Sequence, residues 1–226
     1  MVCLKIRTVT MVMMLSVCVL PVAAVESSSR WPDTALGRTQ ALAELQTLNA
    51  QLLSHPSATM TLEHWCAAHH LAAPATIVAH RLKGADQPLP EGARAQLRIG
   101  PDEPVRYRRV QLVCGAVVLS DADNWYVPRR LTPAMNTQLE TSDAPFGKVV
   151  QPLHFRRQTL AADLLWSPLP EGWDSGAARP AASKKPLDIP EHVLQHRALL
   201  YREDNQPFNL VIESYTANVL TPPPTR

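Results

Sequence analysis

The chain has 226 residues, a length that accommodates one ordinary domain or two small ones. Hydrophobic residues make up 46% of it, which is enough for a core and excludes a fully disordered chain. The 22 basic and 20 acidic residues nearly cancel, and this balance excludes the strongly basic composition of many nucleic-acid-binding proteins.

The first 24 residues have the three-part pattern of a secretory signal peptide. Lys5 and Arg7 provide a positive start, an apolar run extends to Leu20, and small residues precede a cleavage point after Ala24. We therefore expect an exported, periplasmic protein whose mature chain is not inserted in a membrane. An uncleaved membrane anchor is the alternative, although the apolar run is short for a bilayer.

Two helices are predicted after an entry segment, residues 25–33, that is expected to be flexible. The first covers residues 34–53, where leucines recur at three- and four-residue spacing. These leucines are Leu42, Leu45, Leu48 and Leu52. The second helix covers residues 59–72, and Thr59 is its expected N-terminal cap.

The pattern of the sequence changes to strands after residue 75, with a turn expected at residues 121–124. The predicted strands are residues 76–83, 93–99, 105–119, 125–131, 196–202 and 207–217. Residues 203–206 contain Asp204 and Asn205 and are expected to form a hairpin turn. Short helices are predicted at residues 133–143 and 158–166. This order of elements favours an α+β fold with a single antiparallel sheet flanked by helices.

The predicted domain extends over residues 34–217 and contains one long loop. Residues 167–190 are rich in proline and alanine and show no periodicity, so we expect a mobile loop there. Residues 218–226, which end in a proline-rich sequence, are expected to form a disordered tail.

Two charged residues interrupt apolar strands. On alternating positions, Arg108 shares a face with the apolar Val110 and Leu112, whereas the neighbouring Arg109 points away. Glu213 follows an apolar run in the last strand. Because an unpaired buried charge is costly, Arg108 and Glu213 either pair with each other or face a cavity for a small anionic molecule.

Around these residues the sequence resembles the chorismate pyruvate-lyase family. Residues 57–62 (SATMTL) are similar to its S-x-T-x-x-[LF] helix start, and residues 108–112 (RRVQL) to its R-x-[VI]-x-L strand. Residues 144–147 (APFG) resemble its P-L-G turn, and residues 197–215 its final hairpin with an acidic residue. Residues 122–126 (ADNWY) are similar to an A-x-S-W-W run in some members.

The resemblance implies a sheet that encloses a ligand cavity and an enzyme that eliminates pyruvate from chorismate to give 4-hydroxybenzoate. It implies no metal and no organic cofactor. Arg108 would hold the ring carboxylate and Glu213 the ring hydroxyl, both as catalytic residues, with Glu213 as a proton donor. The backbone at Phe146 and Ala58 would supply further substrate contacts. The partners expected are small aromatic carboxylates such as chorismate or 4-hydroxybenzoate, with no nucleic acid, and the chain is expected to be a monomer.

Two other functions remain open for an exported chain of this kind. One is a non-catalytic periplasmic binding protein for a small aromatic carboxylic acid. The other is an interaction protein that presents a sheet edge or its proline-rich loop. The assignment of the ligand arginine also remains open between Arg108 and Arg109.

The sequence also leaves the state of the cysteines open. Cleavage of the signal would leave Cys66 and Cys114, either as one disulfide or as two buried thiols. A zinc site from Cys66 and His70 is not favoured because no second pair of ligands is evident. Turn chemistry explains Asp121 and Asp123 better than a calcium site does.

Overall fold

A computed structural model describes residues 30–84 and 86–222, so the predicted signal peptide lies outside the described residues. The helices are α1 (Ala35–Ser54), α2 (Ala58–Ala68), α3 (Ala93–Gln96), α4 (Pro133–Thr141) and α5 (Phe146–Val149). The strands are β1 (Ile77–Arg81), β2 (Arg106–Cys114), β3 (Val117–Tyr126), β4 (Arg156–Leu164), β5 (His192–Tyr201) and β6 (Pro207–Thr216). None of the helices within the described ranges is both long and apolar enough to cross a bilayer.

The six strands form one antiparallel sheet in the order β1-β2-β3-β6-β5-β4. Helices α1 and α2 pack on one face, here called the inner face, and bury a core of leucines, tryptophans and strand residues. The short α3 and its flanking segments cover part of the opposite, outer face. The predicted fold class, an α+β domain with a single antiparallel sheet flanked by helices, is confirmed.

The two N-terminal helices are capped by side-chain oxygens. Thr34 accepts a hydrogen bond from the Gly37 amide at the start of α1. Helix α2 begins earlier than predicted, because Ser57 rather than Thr59 is its cap and accepts from the Met60 amide.

Several elements differ from the sequence-based prediction. Residues 93–96 form α3 instead of a strand, and residues 158–164 belong to strand β4 instead of a helix. The predicted turn at residues 121–124 lies in the middle of β3. A turn at Gly115, whose φ of +59° suits glycine, divides the predicted strand 105–119 into β2 and the start of β3. Tertiary pairing has overridden local propensity in these segments.

The entry segment and the long loop are attached to each other where the structure describes them. Trp31 is buried in the core, and its carbonyl accepts a hydrogen bond from the Leu187 amide. Arg38 on α1 contacts Asp33 and donates to the carbonyl oxygens of Pro180 and Ala181. Trp31 and Asp33 are therefore connected by hydrogen bonds to residues 183–187 of the loop.

Cys66 and Cys114 form a disulfide bond between α2 and β2. The bond joins residues 48 positions apart, and both cysteines are fully buried in the inner core. The two cysteines that the sequence left open therefore form a disulfide and are not free thiols.

Candidate functional site

Arg108 and Glu213 lie on the same face of the sheet. In the register, Arg108 is opposite Asn124 and Val110 is opposite Ala122. Ala122 in turn is opposite Glu213 on β6, so alternation places all these side chains on the inner face. They do not form an ion pair with each other, because each is bonded to other groups.

Arg108 is bonded to backbone carbonyls beyond the end of the sheet. Its Nε donates to the Leu139 oxygen at 3.1 Å, and its Nη2 donates to the Ala144 oxygen at 3.0 Å. Burial, together with the charge of Arg81, lowers the pKa of Arg108 to about 10. Arg108 thus fixes the connection between α4 and α5, and Arg109 lies on the outer face with its Nε 3.7 Å from Asp123.

The arginine that pairs with Glu213 is Arg157, at the start of β4. Arg157 Nη2 lies 2.6 Å from Glu213 Oε2, and the Tyr215 hydroxyl donates to the same oxygen at 3.2 Å. The side chains of Arg157 and Glu213 are only 4% and 8% exposed. Burial alone would lower the pKa of Arg157, but the charge of Glu213, the neighbouring Tyr215 and the hydrogen bond to Glu213 together outweigh burial and raise the pKa.

A small inner cavity of about 30 Å³ adjoins this ion pair. Its volume is enough for one or two water molecules. The lining residues share a position between the inner face of the sheet and the starts of α2 and α5. They include Arg157, Glu213, Asn124, Asn209, Ala58 and Phe146.

Polar groups remain available at this cavity. Asn209 Nδ2 donates to Asn124 Oδ1 at 3.0 Å. Arg157 Nε and Asn209 Oδ1 are buried and have no hydrogen-bond partner among residues 30–84 and 86–222. Because a buried donor and a buried acceptor without partners are unfavourable, they are candidate contacts for a bound molecule.

A wider outer cavity of about 280 Å³ lies beside the inner one. The two share the lining residues Pro56, Ser57, Gly147 and Phe155. Met60 and three histidines, His55, His64 and His154, complete much of the outer wall. A Cβ at Gly147 would lie 3.0 Å from Ser57 Oγ, so glycine at this position keeps the wall between the cavities thin.

His196 and Tyr215 extend the buried polar network beneath α1. His196 is fully buried on β5, and its Nε2 lies 2.8 Å from Asn49 Oδ1 on α1. Burial, together with the charge of Arg157, lowers the pKa of His196 to about 4, so the ring is neutral at pH 7. Burial and the charge of Glu213 raise the pKa of Tyr215, which keeps its hydroxyl protonated as a donor.

The structure brings three of the four predicted site residues to one cavity: Glu213, Phe146 and Ala58. Arg108 lines neither the inner nor the outer cavity; it borders a separate pocket with Arg81 and Tyr126. Sequence reasoning missed Arg157 because it placed a helix directly after it, and it missed Asn124 because it placed a turn there. In the sequence, Arg157 stands close to Thr159 and Ala161, and these neighbours give no indication that the arginine is buried.

Comparisons with known proteins were made by sequence and by structure. No protein-family model matches the chain. The Sinorhizobium fredii (strain NBRC 101917 / NGR234) protein described as "Uncharacterized protein y4mC" is 52% identical over 218 residues, which cover 95% of this chain and 92% of that protein.

The solved structures that match include transcriptional regulators, an effector domain and a ligand-binding domain, all at low sequence identity. PhnF from Mycobacterium smegmatis is 14% identical with a TM-score of 0.47, covering 75% of this chain and 67% of PhnF. Its separate effector domain is 15% identical with a TM-score of 0.46, covering 74% of this chain and 91% of that domain. The ligand-binding domain of a GntR-family regulator from Bordetella bronchiseptica is 15% identical with a TM-score of 0.41. The match covers 66% of this chain and 92% of that domain.

These matches correct the functional expectations drawn from the sequence. Where the matched structures carry a described role, it is that of a transcriptional regulator or of its ligand-binding domain, and this finding corrects the expected membership of the chorismate pyruvate-lyase family and the expected lyase activity. The geometry of Arg108, which is bonded to two carbonyls, agrees with this correction. The expected periplasmic location is corrected as well: the matched structures include transcriptional regulators, and the signal peptide on which that expectation rested lies outside the described residues. The sequence similarity over nearly the whole length shows that the chain belongs to the same family as the Sinorhizobium fredii protein y4mC.

Proposed function

We propose that the chain is a binding domain for a small aromatic carboxylate such as 4-hydroxybenzoate, and that it acts by binding alone. The observation that carries the proposal is the buried Arg157–Glu213 pair at the closed end of two adjoining cavities. A few convergent charged groups beside a cavity are a typical feature of small-molecule binding sites. The Bordetella bronchiseptica match is described as a ligand-binding domain, and the proposal extends that description to this chain.

The chemistry of the inner end suits a carboxylate. Arg157 Nε has no partner among the described residues and can donate to a carboxylate oxygen. Glu213 holds the Arg157 guanidinium in place, and the Tyr215 hydroxyl donates to the same Glu213 oxygen. The raised pKa of Arg157 keeps its positive charge in place for an anionic ligand.

The outer cavity suits the ring of such a ligand. Its volume of about 280 Å³ is at the lower end of the range of roughly 300–1,000 Å³ for small-molecule pockets. Met60 and Phe155 provide apolar and aromatic surface on its wall. The inner cavity of about 30 Å³ has room for one functional group, so the ring remains outside it.

A thermal-shift experiment on the full chain tests the proposal. We expect 4-hydroxybenzoate and benzoate to raise the melting temperature with concentration, and neutral 4-hydroxybenzyl alcohol to have little effect. Met60→Trp, which fills the outer cavity, should abolish the shift. Val78→Trp is the matched control, because Met60 and Val78 are 37% and 38% exposed and Val78 lies on β1 away from the cavities.

Two results would overturn the proposal. One is an equal shift with the carboxylates and the neutral alcohol; the other is an unchanged shift in Met60→Trp. The monomeric state that we include in the proposal is measured separately, by light scattering coupled to size-exclusion chromatography.

A second variant tests the role of the acid. Glu213→Gln keeps the shape of the side chain and removes its charge. We expect this variant to strengthen binding of 4-hydroxybenzoate and of benzoate, because it removes a negative charge beside the position of the ligand carboxylate. Isothermal titration calorimetry with both ligands gives the two affinity ratios, and weaker binding of both would exclude a ligand carboxylate next to residue 213.

A further inference from the structure

A group of three potential metal ligands lies on the outer face of the sheet, on the side opposite the two cavities. Asp121 on β3, His192 at the start of β5 and the preceding Glu191 each present one ligand atom. These atoms all lie within 4.8 Å of one another, and His192 Nε2 is 2.7 Å from Asp121 Oδ2. The sequence analysis expected no metal and assigned Asp121 to a turn.

The orientation of His192 depends on an irregularity in β5. Gln195 is opposite Ser214, and Ser214 is opposite Asp121, so these residues share the outer face. If side chains alternated regularly from Gln195, Val193 would point to the outer face and His192 to the inner face. A bulge between His192 and Leu194 reverses this and places His192 opposite Thr216.

The burial of the residues next to His192 confirms the effect of the bulge. Val193 and Leu194 are consecutive in sequence, yet both are fully buried in the inner core. The His192 side chain is 28% exposed and reaches Asp121 on the other side of β6. Bulges are frequent at functional sites because they redirect one side chain without ending the strand.

Asp121 is held in place by a further contact. Its side chain is only 10% exposed, and its second oxygen, Oδ1, accepts a hydrogen bond from Gln111 Nε2 at 3.2 Å. A carboxylate that is oriented by a neighbouring amide is a common feature of metal sites in proteins. Glu191 is fixed through its backbone, since its carbonyl oxygen accepts from the Ala217 amide.

We propose that Asp121, Glu191 and His192 bind a divalent transition-metal ion, with Zn²⁺ as the preferred ion. One imidazole and two carboxylates are ligand types that zinc accepts, and the two negative charges balance the ion. Ligand atoms around tetrahedral zinc lie about 3.4 Å apart, which these groups reach by small side-chain rotations. Three protein ligands leave the fourth position for a water molecule.

Isothermal titration calorimetry of the full chain with ZnCl₂ at pH 7.5 tests the site. We expect one ion per chain and no binding of Mg²⁺. His192→Ala, Asp121→Asn and Glu191→Gln should each weaken binding by about 10- to 100-fold or more. His69→Ala is the matched control, since His69 contacts Glu44 in another histidine–carboxylate pair.

A spectroscopic measurement distinguishes this site from binding by cysteine. Co²⁺ in place of Zn²⁺ should give a d–d spectrum without the charge-transfer band of a thiolate ligand. A thiolate band, no zinc binding, or an affinity that is unchanged in both His192→Ala and Asp121→Asn would overturn the proposal. The proposal is independent of the one for the cavities, so 4-hydroxybenzoate should shift the melting temperature equally in His192→Ala and the unmodified chain.

Discussion

Arg157 and Glu213, which lie on strands β4 and β6, form an ion pair that is almost completely shielded from solvent. Strand β5 separates the two strands, so the long arginine side chain crosses the inner face above it. The pair therefore connects an edge strand to an interior strand of the sheet, next to the inner cavity.

Removal of one member of this pair should be strongly destabilising. We expect Arg157→Met to lower the free energy of unfolding by about 3–5 kcal/mol, because Glu213 would keep a buried charge without its partner. Urea denaturation provides the measurement. Arg202→Met is the matched control: Arg202 and Asp204 form an exposed pair 3.5 Å apart, and its loss should cost about 0–1 kcal/mol. Similar costs for the two variants would contradict the assigned burial.

Arg108 should matter for stability and not for ligand binding. Arg108→Met removes the donors to the Leu139 and Ala144 carbonyls, and we expect a loss of about 2–3 kcal/mol in urea denaturation. The melting-temperature shift produced by 4-hydroxybenzoate should persist in this variant. A variant of normal stability that no longer responds to the ligand would instead restore Arg108 to the binding site.

His196 should make stability depend on pH. Its pKa in the folded state is about 4, below the ordinary value of 6.5, so the unfolded state binds more protons between these two pH values. The contribution of His196 to stability is therefore complete above about pH 6.5 and is lost as the pH falls towards 4. Urea denaturation at several pH values in this window should show a smaller slope for His196→Gln than for the unmodified chain. Equal slopes would show that the ring is protonated in the fold.

The Cys66–Cys114 disulfide should contribute substantially to stability. It closes a loop between residues 48 positions apart, and its replacement by two serines should cost about 2–4 kcal/mol. The same loss should occur when the unmodified chain is unfolded in the presence of a reductant, which gives an internal comparison. A reductant that leaves the unfolding midpoint unchanged would contradict this contribution.

The sequence predicted those parts of the fold that depend on local signals. The leucine spacing in α1 and the turn between β5 and β6 are such signals, and both elements are present. Alternation also placed Arg108 on the same face as Val110 and Leu112, as the register of β2 has it. In contrast, Gln158 to Leu164 consist largely of residues that suit a helix, and only pairing with β5 makes them a strand.

The candidate site was predictable only in part, for the same reason. Glu213 was identifiable because a charge in an apolar strand is conspicuous whatever its partner. Arg157 was not, because its burial depends on the position of β4 at the edge of the sheet. The side of the sheet to which His192 points depends on the bulge in β5, which the residue pattern does not reveal.

The hydrogen bonds of Arg38 couple the motion of the segment at Asp33 to the motion of the long loop at Pro180 and Ala181. Arg38 holds Asp33 and two loop carbonyls at once, and the Ser183 amide donates to the Asp33 carbonyl. Hydrogen exchange at Ser183 should therefore report on the order of residues 31–33, although Pro180 is 142 positions from Arg38 in sequence. A proteolytic cut before Asp33 would accelerate exchange in this loop as well as at the cut itself, since the two segments open as one unit.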